Sequence, residues 1–203
     1  MMLPGVSLSG VTGERAQTHT LEAFTASIFI LMVVAVIITS MGVVPGIGNT
    51  AATENAGDNR QVANDALSVA SQQGTLDDMV LHYDTANTEF INADGPDGAY
   101  TSAPSGETEF GGLLETVFEN RDLAFNLDVT YMNSSGEGTQ TTEIVHQGEP
   151  SSAAATASRT VFIFEDDTLG DGSPVTDNFY MPNSQTNDEL YNVATVELTV
   201  WRL

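Results

Sequence analysis

From Ala23 to Val44 the chain runs for 22 positions without a charge. No other stretch limits so firmly what the protein can become. Coiled as a helix, it reaches about 33 Å, enough to cross a hydrocarbon layer of about 30 Å. The apolar region of a secretory leader is shorter, about 7–15 residues, and Gly46-Ile47-Gly48 is a poor cleavage site behind it. The helix is therefore expected to remain in the mature protein. Thr18 and Thr20 stand where they can cap its first turn. Pro45, Gly46 and Gly48 break it at the far end. Arg15 on the N-terminal side favours that end inside and the rest of the chain outside.

Past this segment the composition changes sharply. The 203 residues carry 28 Asp and Glu against five basic residues, all Arg, for a net charge of −23. Nearly all of it lies beyond residue 53, where only Arg60, Arg121, Arg159 and Arg202 oppose the acids. Such a surface repels itself in dilute buffer. In molar salt the screening length falls to about 3 Å and the repulsion fades. Abundant acids, many threonines and no Lys point to a salt-loving, haloarchaeal source. Five Arg against 28 acids leave little to neutralise phosphates, so no nucleic-acid partner is expected. The absence of Cys excludes disulfides, thiolate metal sites and a Cys nucleophile.

The chain divides into a leader-like segment (1–16), a transmembrane helix (17–44), a hinge (45–53) and an acidic extracellular domain (54–203). The last has the usual length of one domain. Residues 49–73 read as a polar helix, with Val62, Ala66, Val69 and Ala70 on one face. A second helix runs from Thr75, its expected cap, to Tyr83, with Leu76, Met79, Val80 and Tyr83 inward. Residues 84–106 read as loop. Glu107 to Asn120 reads as a third helix that buries Phe110, Leu113, Leu114, Val117 and Phe118.

The period then shifts from 3.6 to 2. Leu123–Met132, Thr139–Gln147, Thr156–Glu165 and Tyr191–Arg202 read as strands. Residues 166–187 between the last two read as a long acidic loop. Helices first and a meander of strands afterwards predict an α+β fold, with one antiparallel sheet of about four strands packed on helices.

Few residues carry recognisable chemistry. Asn133-Ser134-Ser135 is the one N-x-[ST] glycosylation sequon, and it falls in an expected hairpin turn. Asp166, Asp167 and Asp171 are weak calcium candidates, because their spacing departs from the D-x-[DN]-x-[DN]-G-x₅-E loop. Asp94 and Asp97 are weaker still. Glu143 and His146 have a Glu-x-x-His spacing, but on a regular strand residues three apart face opposite ways, so the pair is not expected to converge. No G-x-S-x-G and no glycine-rich phosphate loop occur. Neither an enzyme nor a cofactor is expected. Phe179, Tyr191 and Trp201 are read as core or sheet cover in preference to a binding surface.

The ends of the apolar segment add a resemblance. Arg15-Ala16-Gln17, then Thr20-Leu21-Glu22 and the long apolar run, resemble the class III leader of archaeal type IV prepilins. The wider pattern, AQTHTLEAF near the start and LYNVATVELTVWR near the end, is similar to a haloarchaeal family of pilin-like membrane proteins of unknown function. The resemblance implies that a prepilin peptidase cuts after Ala16, so that the mature chain begins at Gln17. It also implies other pilin-like subunits as partners, and a place in a cell-surface filament as a minor pilin or pseudopilin. Glu22 would then meet the free amine of a neighbour's Gln17 and set the register between helices. The competing reading places Glu22 at headgroup depth, favoured by the helix dipole. The alternative for the whole chain is a single-pass membrane protein that never polymerises and carries an extracellular binding or accessory domain.

Overall fold

The computed structural model describes residues 50–184 and 189–203, with side chains from Ala56 onward. The expected leader, the membrane helix with Glu22, and the Pro45 break lie outside these residues. Helix α1 (Thr50–Gln73) opens the described chain. Its buried stripe is Ala63, Ala66, Leu67 and Ala70, spaced for one helical face. This face is rotated from the expected one: Val69 is exposed and Val62 only partly covered. Arg159 of the sheet reaches α1 through the Ser68 hydroxyl.

Gly74 ends α1 with φ +77°, a left-handed turn natural to glycine. Helix α2 (Thr75–Val80) follows at once, so Gly74 occupies its cap position and Thr75 does not cap. Thr75 is buried, and its hydroxyl donates to the Ala70 carbonyl at 3.4 Å. Leu76, Met79, Val80 and Tyr83 face the core as expected, but Tyr83 already belongs to a strand. Where the sequence reads as loop, β1 (Tyr83–Asp84) and β2 (Glu89–Phe90) form a small antiparallel hairpin. The Asp84 carboxylate ties its turn by accepting from the Ala86 and Asn87 amides.

Helix α3 (Glu109–Val117) is shorter than expected. Thr108 caps it by accepting from the Gly111 amide at 2.9 Å. A side chain at Gly111 would put a Cβ 2.1 Å from the Pro104 carbonyl oxygen, so only glycine admits this close approach. A 3₁₀ turn (Glu119–Arg121) then leads into the sheet.

Four strands follow: β3 (Leu123–Met132), β4 (Thr139–His146), β5 (Ala155–Phe164) and β6 (Leu190–Arg202). All neighbours are antiparallel, in the order β4-β3-β6-β5. The protein is thus α+β with a small antiparallel sheet, but the sheet is not a meander. Two hairpins, β3–β4 and β5–β6, meet along β3 and β6. The longest strand, β6, takes a central place because it has apolar residues to bury along most of its length.

The connection from β4 to β5 passes under the ends of β3 and β6. The Asn126 side chain pins it, accepting from the Gln147 amide and donating to the Gly148 carbonyl, both at 2.9 Å. Phe125, Leu127, Val129, Val196, Leu198 and Val200 form the inner face, packed with the helices into one core. The long segment after β5 joins that core instead of lying in solvent. Leu169, Val175, Phe179 and Met181 are buried. Phe179 and Tyr180 stack edge-on with each other at 4.4 Å, and both rings meet Tyr83. Tyr191 and Trp201 are buried as well, so these aromatics cover and fill the sheet.

Candidate functional site

The outer face of the sheet, turned away from the helices, gathers the polar chemistry. One row across it holds Glu143 of β4, Asp128 of β3 and Glu197 of β6, each directly opposite the next. The neighbouring row holds Thr141, Thr130, Thr195 and Thr160. Thr130 and Thr141 share a hydrogen bond of 2.8 Å between their hydroxyls.

The acid row depends on an irregularity in β4. Leu127 pairs with Val145 but Asp128 with Glu143, so Ile144 is an extra residue in a β-bulge. The bulge turns Glu143 and His146 to the same face, with Glu143 Oε1 and His146 Nδ1 3.2 Å apart. The expectation that these two residues point apart is overturned, because it assumed an unbroken strand. Tyr100 supports the bulge from outside, donating its amide to the Ile144 carbonyl and accepting from the His146 amide, each at 2.9 Å.

Like charges opposite each other on a sheet disfavour pairing. Burial, and then the Glu143 and Glu197 carboxylates, push Asp128 up to about 6, against a smaller opposing effect of His146. The row can therefore hold a proton in mildly acidic solution and respond to salt. It does not form a metal cage: among the described residues no three acidic or histidine side chains converge as ligands. Beside Glu143 lies an open depression of about 330 Å³ lined by Asp97, Ala99, Thr141, Thr142 and Glu143. It lacks the apolar walls that enclose a small ligand.

The acids after β5 are separate devices. Asp171 accepts from the Thr85 amide and hydroxyl and from the Ser173 amide, all at 2.8 Å. Those bonds hold its carboxyl down to about 2. It is a clasp between the β1–β2 turn and the long segment. Asp167 accepts from the Phe164 amide at 2.8 Å, and Asp166 is exposed. Asp94 is likewise committed locally, to the amide and hydroxyl of Thr101.

His82 stands 3.7 Å from Glu107, away from the acid row. Burial pushes its imidazole down and Glu107 opposes that. Among the described residues no Arg pairs with a carboxylate, and the two histidine–glutamate contacts are ion pairs only where the imidazole is protonated. Asn133 lies in the β3–β4 turn, part-covered, with Ser134 and Ser135 exposed. Phe162 and Phe164 stand 55% and 44% exposed on the outer face of β5, at the sheet edge. Arg15, Ala16, Gln17 and Glu22 are outside the described residues.

The sequence reading missed the acid row because its members are scattered over three strands. A sign was present: Asp128 and Glu197 each sit mid-strand among alternating apolar residues, where they share the polar face. Their opposition required the pairing of β3 with β6.

Fold and surface define an acidic α+β domain with helices on one sheet face and carboxylates and threonines on the other. The chain belongs to a family of unknown function (DUF7288), whose model matches residues 15–200 and so takes in the apolar segment as well as the domain. No curated protein and no solved structure matches it.

Proposed function

We propose that the protein is a membrane-anchored, pilin-like surface protein, a minor pilin or pseudopilin type of subunit in an archaeal filament. The observation that carries this reading is the uncharged run from Ala23 to Val44 with Arg15-Ala16-Gln17 just ahead of it. A prepilin peptidase cuts after Ala16, the apolar helix holds the chain in the membrane, and the acidic domain faces outward. Among the described residues no helix is long and apolar enough to cross a membrane, so the anchor in this reading is the segment before Thr50. An outer sheet face with Glu143, Asp128 and Glu197 side by side suits a domain that works in concentrated salt, where their repulsion is screened. Edman sequencing or terminal-peptide mass spectrometry of the native protein tests the first step. A start at Gln17 supports it, and a start at Met1 or Met2 sinks it.

A second reading is favoured by Phe162 and Phe164, exposed on the edge strand β5. Here the protein is a single-pass membrane protein that does not polymerise, and the domain is a binding or accessory module. Isolated cell-surface filaments separate the two, since only a filament subunit co-purifies with them.

A further inference from the structure

Asn133-Ser134-Ser135 is the single sequon of the chain, and the β3–β4 turn presents it in a set geometry. The backbone of Asn133 is fixed on both sides: its amide donates to the Gly138 carbonyl at 2.8 Å, and its carbonyl accepts from the Gly136 amide at 3.0 Å. The side-chain oxygen Oδ1 accepts from the Ser135 hydroxyl at 2.7 Å and the Ser135 amide at 3.1 Å. No hydrogen bond among the described residues engages Nδ2. A side chain at Gly138 would put a Cβ 2.8 Å from Nδ2, so glycine there keeps the space beside that atom open. The hydroxyl that defines the sequon thus grips the oxygen end of the amide and leaves the nitrogen end free.

We propose that Asn133 is an N-glycan attachment site, poised by Ser135 and cleared by Gly138. The donor class is a glycan activated on a polyprenyl phosphate or diphosphate. A hydrogen bond to Oδ1 stabilises the negative charge that grows on the amide oxygen when Nδ2 loses a proton. Nδ2 then bonds to the anomeric carbon of the sugar, the bond from that carbon to the phosphate oxygen breaks, and the polyprenyl phosphate or diphosphate that carried the glycan leaves. The Nδ2 proton passes to a base of the transferase, and nothing is oxidised or reduced. The glycan would stand at the tip of the β3–β4 hairpin, clear of the core.

The proposal rests on the outward placement of the domain, so the test reads the two separately. The protein is isolated from the cells that make it, and the peptide bearing Asn133 is weighed by mass spectrometry. In the same cells the domain is challenged from outside with a protease. The expected result is a mass increment of whole sugar units on Asn133. It is lost in Asn133→Gln and in Ser135→Ala, and kept in Ser135→Thr, which retains the hydroxyl. An increment that survives Ser135→Ala, or an unmodified Asn133 in the native protein, overturns the proposal. Protease access decides whether the outward placement falls with it: cleavage of the domain on intact cells keeps that reading standing alone. Circular dichroism of Ser135→Ala and Ser135→Thr shows whether loss of the glycan reflects the hydroxyl or a failed fold.

Discussion

On the inner face of the sheet Leu127, Val129, Val196 and Leu198 are buried in the core shared with the helices, while on the outer face of the same two strands stand Asp128, Thr130, Thr195 and Glu197. Both sets share one backbone and one register. The inner set is held by burial, which salt and pH barely touch. The outer set is held by hydroxyl pairs and strained by like charges, both of which the solvent controls. The comparison teaches that this domain has a fold fixed from one side and a response to its surroundings built on the other.

The sharpest way to break that contrast is to damage the inner face. Leu127→Ala should cost about 2–5 kcal/mol, the range for a large-to-small change in a packed core. Denaturant titration should show the same loss in dilute buffer and in molar salt. A loss that salt erases would mean the core is not what holds this strand.

Asp128→Asn probes the outer face. The unfolded carboxyl titrates near 3.8 and the folded one near 6, so ionisation penalises the folded state above about pH 6. The contribution of Asp128 to stability should therefore rise as pH falls through about 6 towards about 4, while His82, held down by burial, acts the other way. At pH 8 in low salt the variant should be more stable by about 1 kcal/mol, after discounting the full shift for partial exposure. The gain should shrink in molar salt. Thermal melts over pH and salt check all three points, and a variant that keeps the wild-type pH slope counts against the acid row.

The Asp171 clasp runs the other way. Its folded carboxyl lies near 2, below the unfolded 3.8, so its contribution is present above about pH 4 and lost as pH falls through about 2. Asp171→Asn should speed hydrogen exchange of the Thr85 amide at neutral pH and leave the strand amides protected. The smallest effect belongs to Thr130→Ala, which removes one hydroxyl pair on an open surface. It should move stability by no more than about 0.5 kcal/mol.

Much of this architecture is written in local patterns. The alternation of Phe125, Leu127, Val129 and Tyr131 with Asn126, Asp128 and Thr130 marks a strand, and the expected bounds, Leu123–Met132, are those of β3. The 3.6-residue spacing of Phe110, Leu114 and Phe118 marks the buried side of α3 and the turn after it. What stayed hidden depends on partners far along the chain. The bulge at Ile144 is unreadable in β4 alone, since it arises from pairing with β3 and the support of Tyr100. Leu169, Val175 and Met181 follow no helical or strand period, so their segment reads as solvated although it fills a corner of the core. In α1 the expected face shares Ala66 and Ala70 with the observed one, but packing against the rest of the fold turns Ala63 and Leu67 inward in place of Val62 and Val69. The acid row suffers most, because register alone brings its members together.

The strand order carries a consequence in time. Among the described elements β6 is the last to be made, yet it lies between β3 and β5 and joins the two hairpins. Until it emerges, β3 has one neighbour and β5 has none, and a chain stopped before Leu190 exposes two apolar strands with open edges. Long-range pairings of this kind close late in folding, and open edges invite wrong partners while they wait. The domain therefore commits to its structure as a whole only once β6 has been made, and its earlier segments must remain soluble until then. The dense acidic charge that strains the finished sheet is well suited to keeping the unfinished chain apart from its copies.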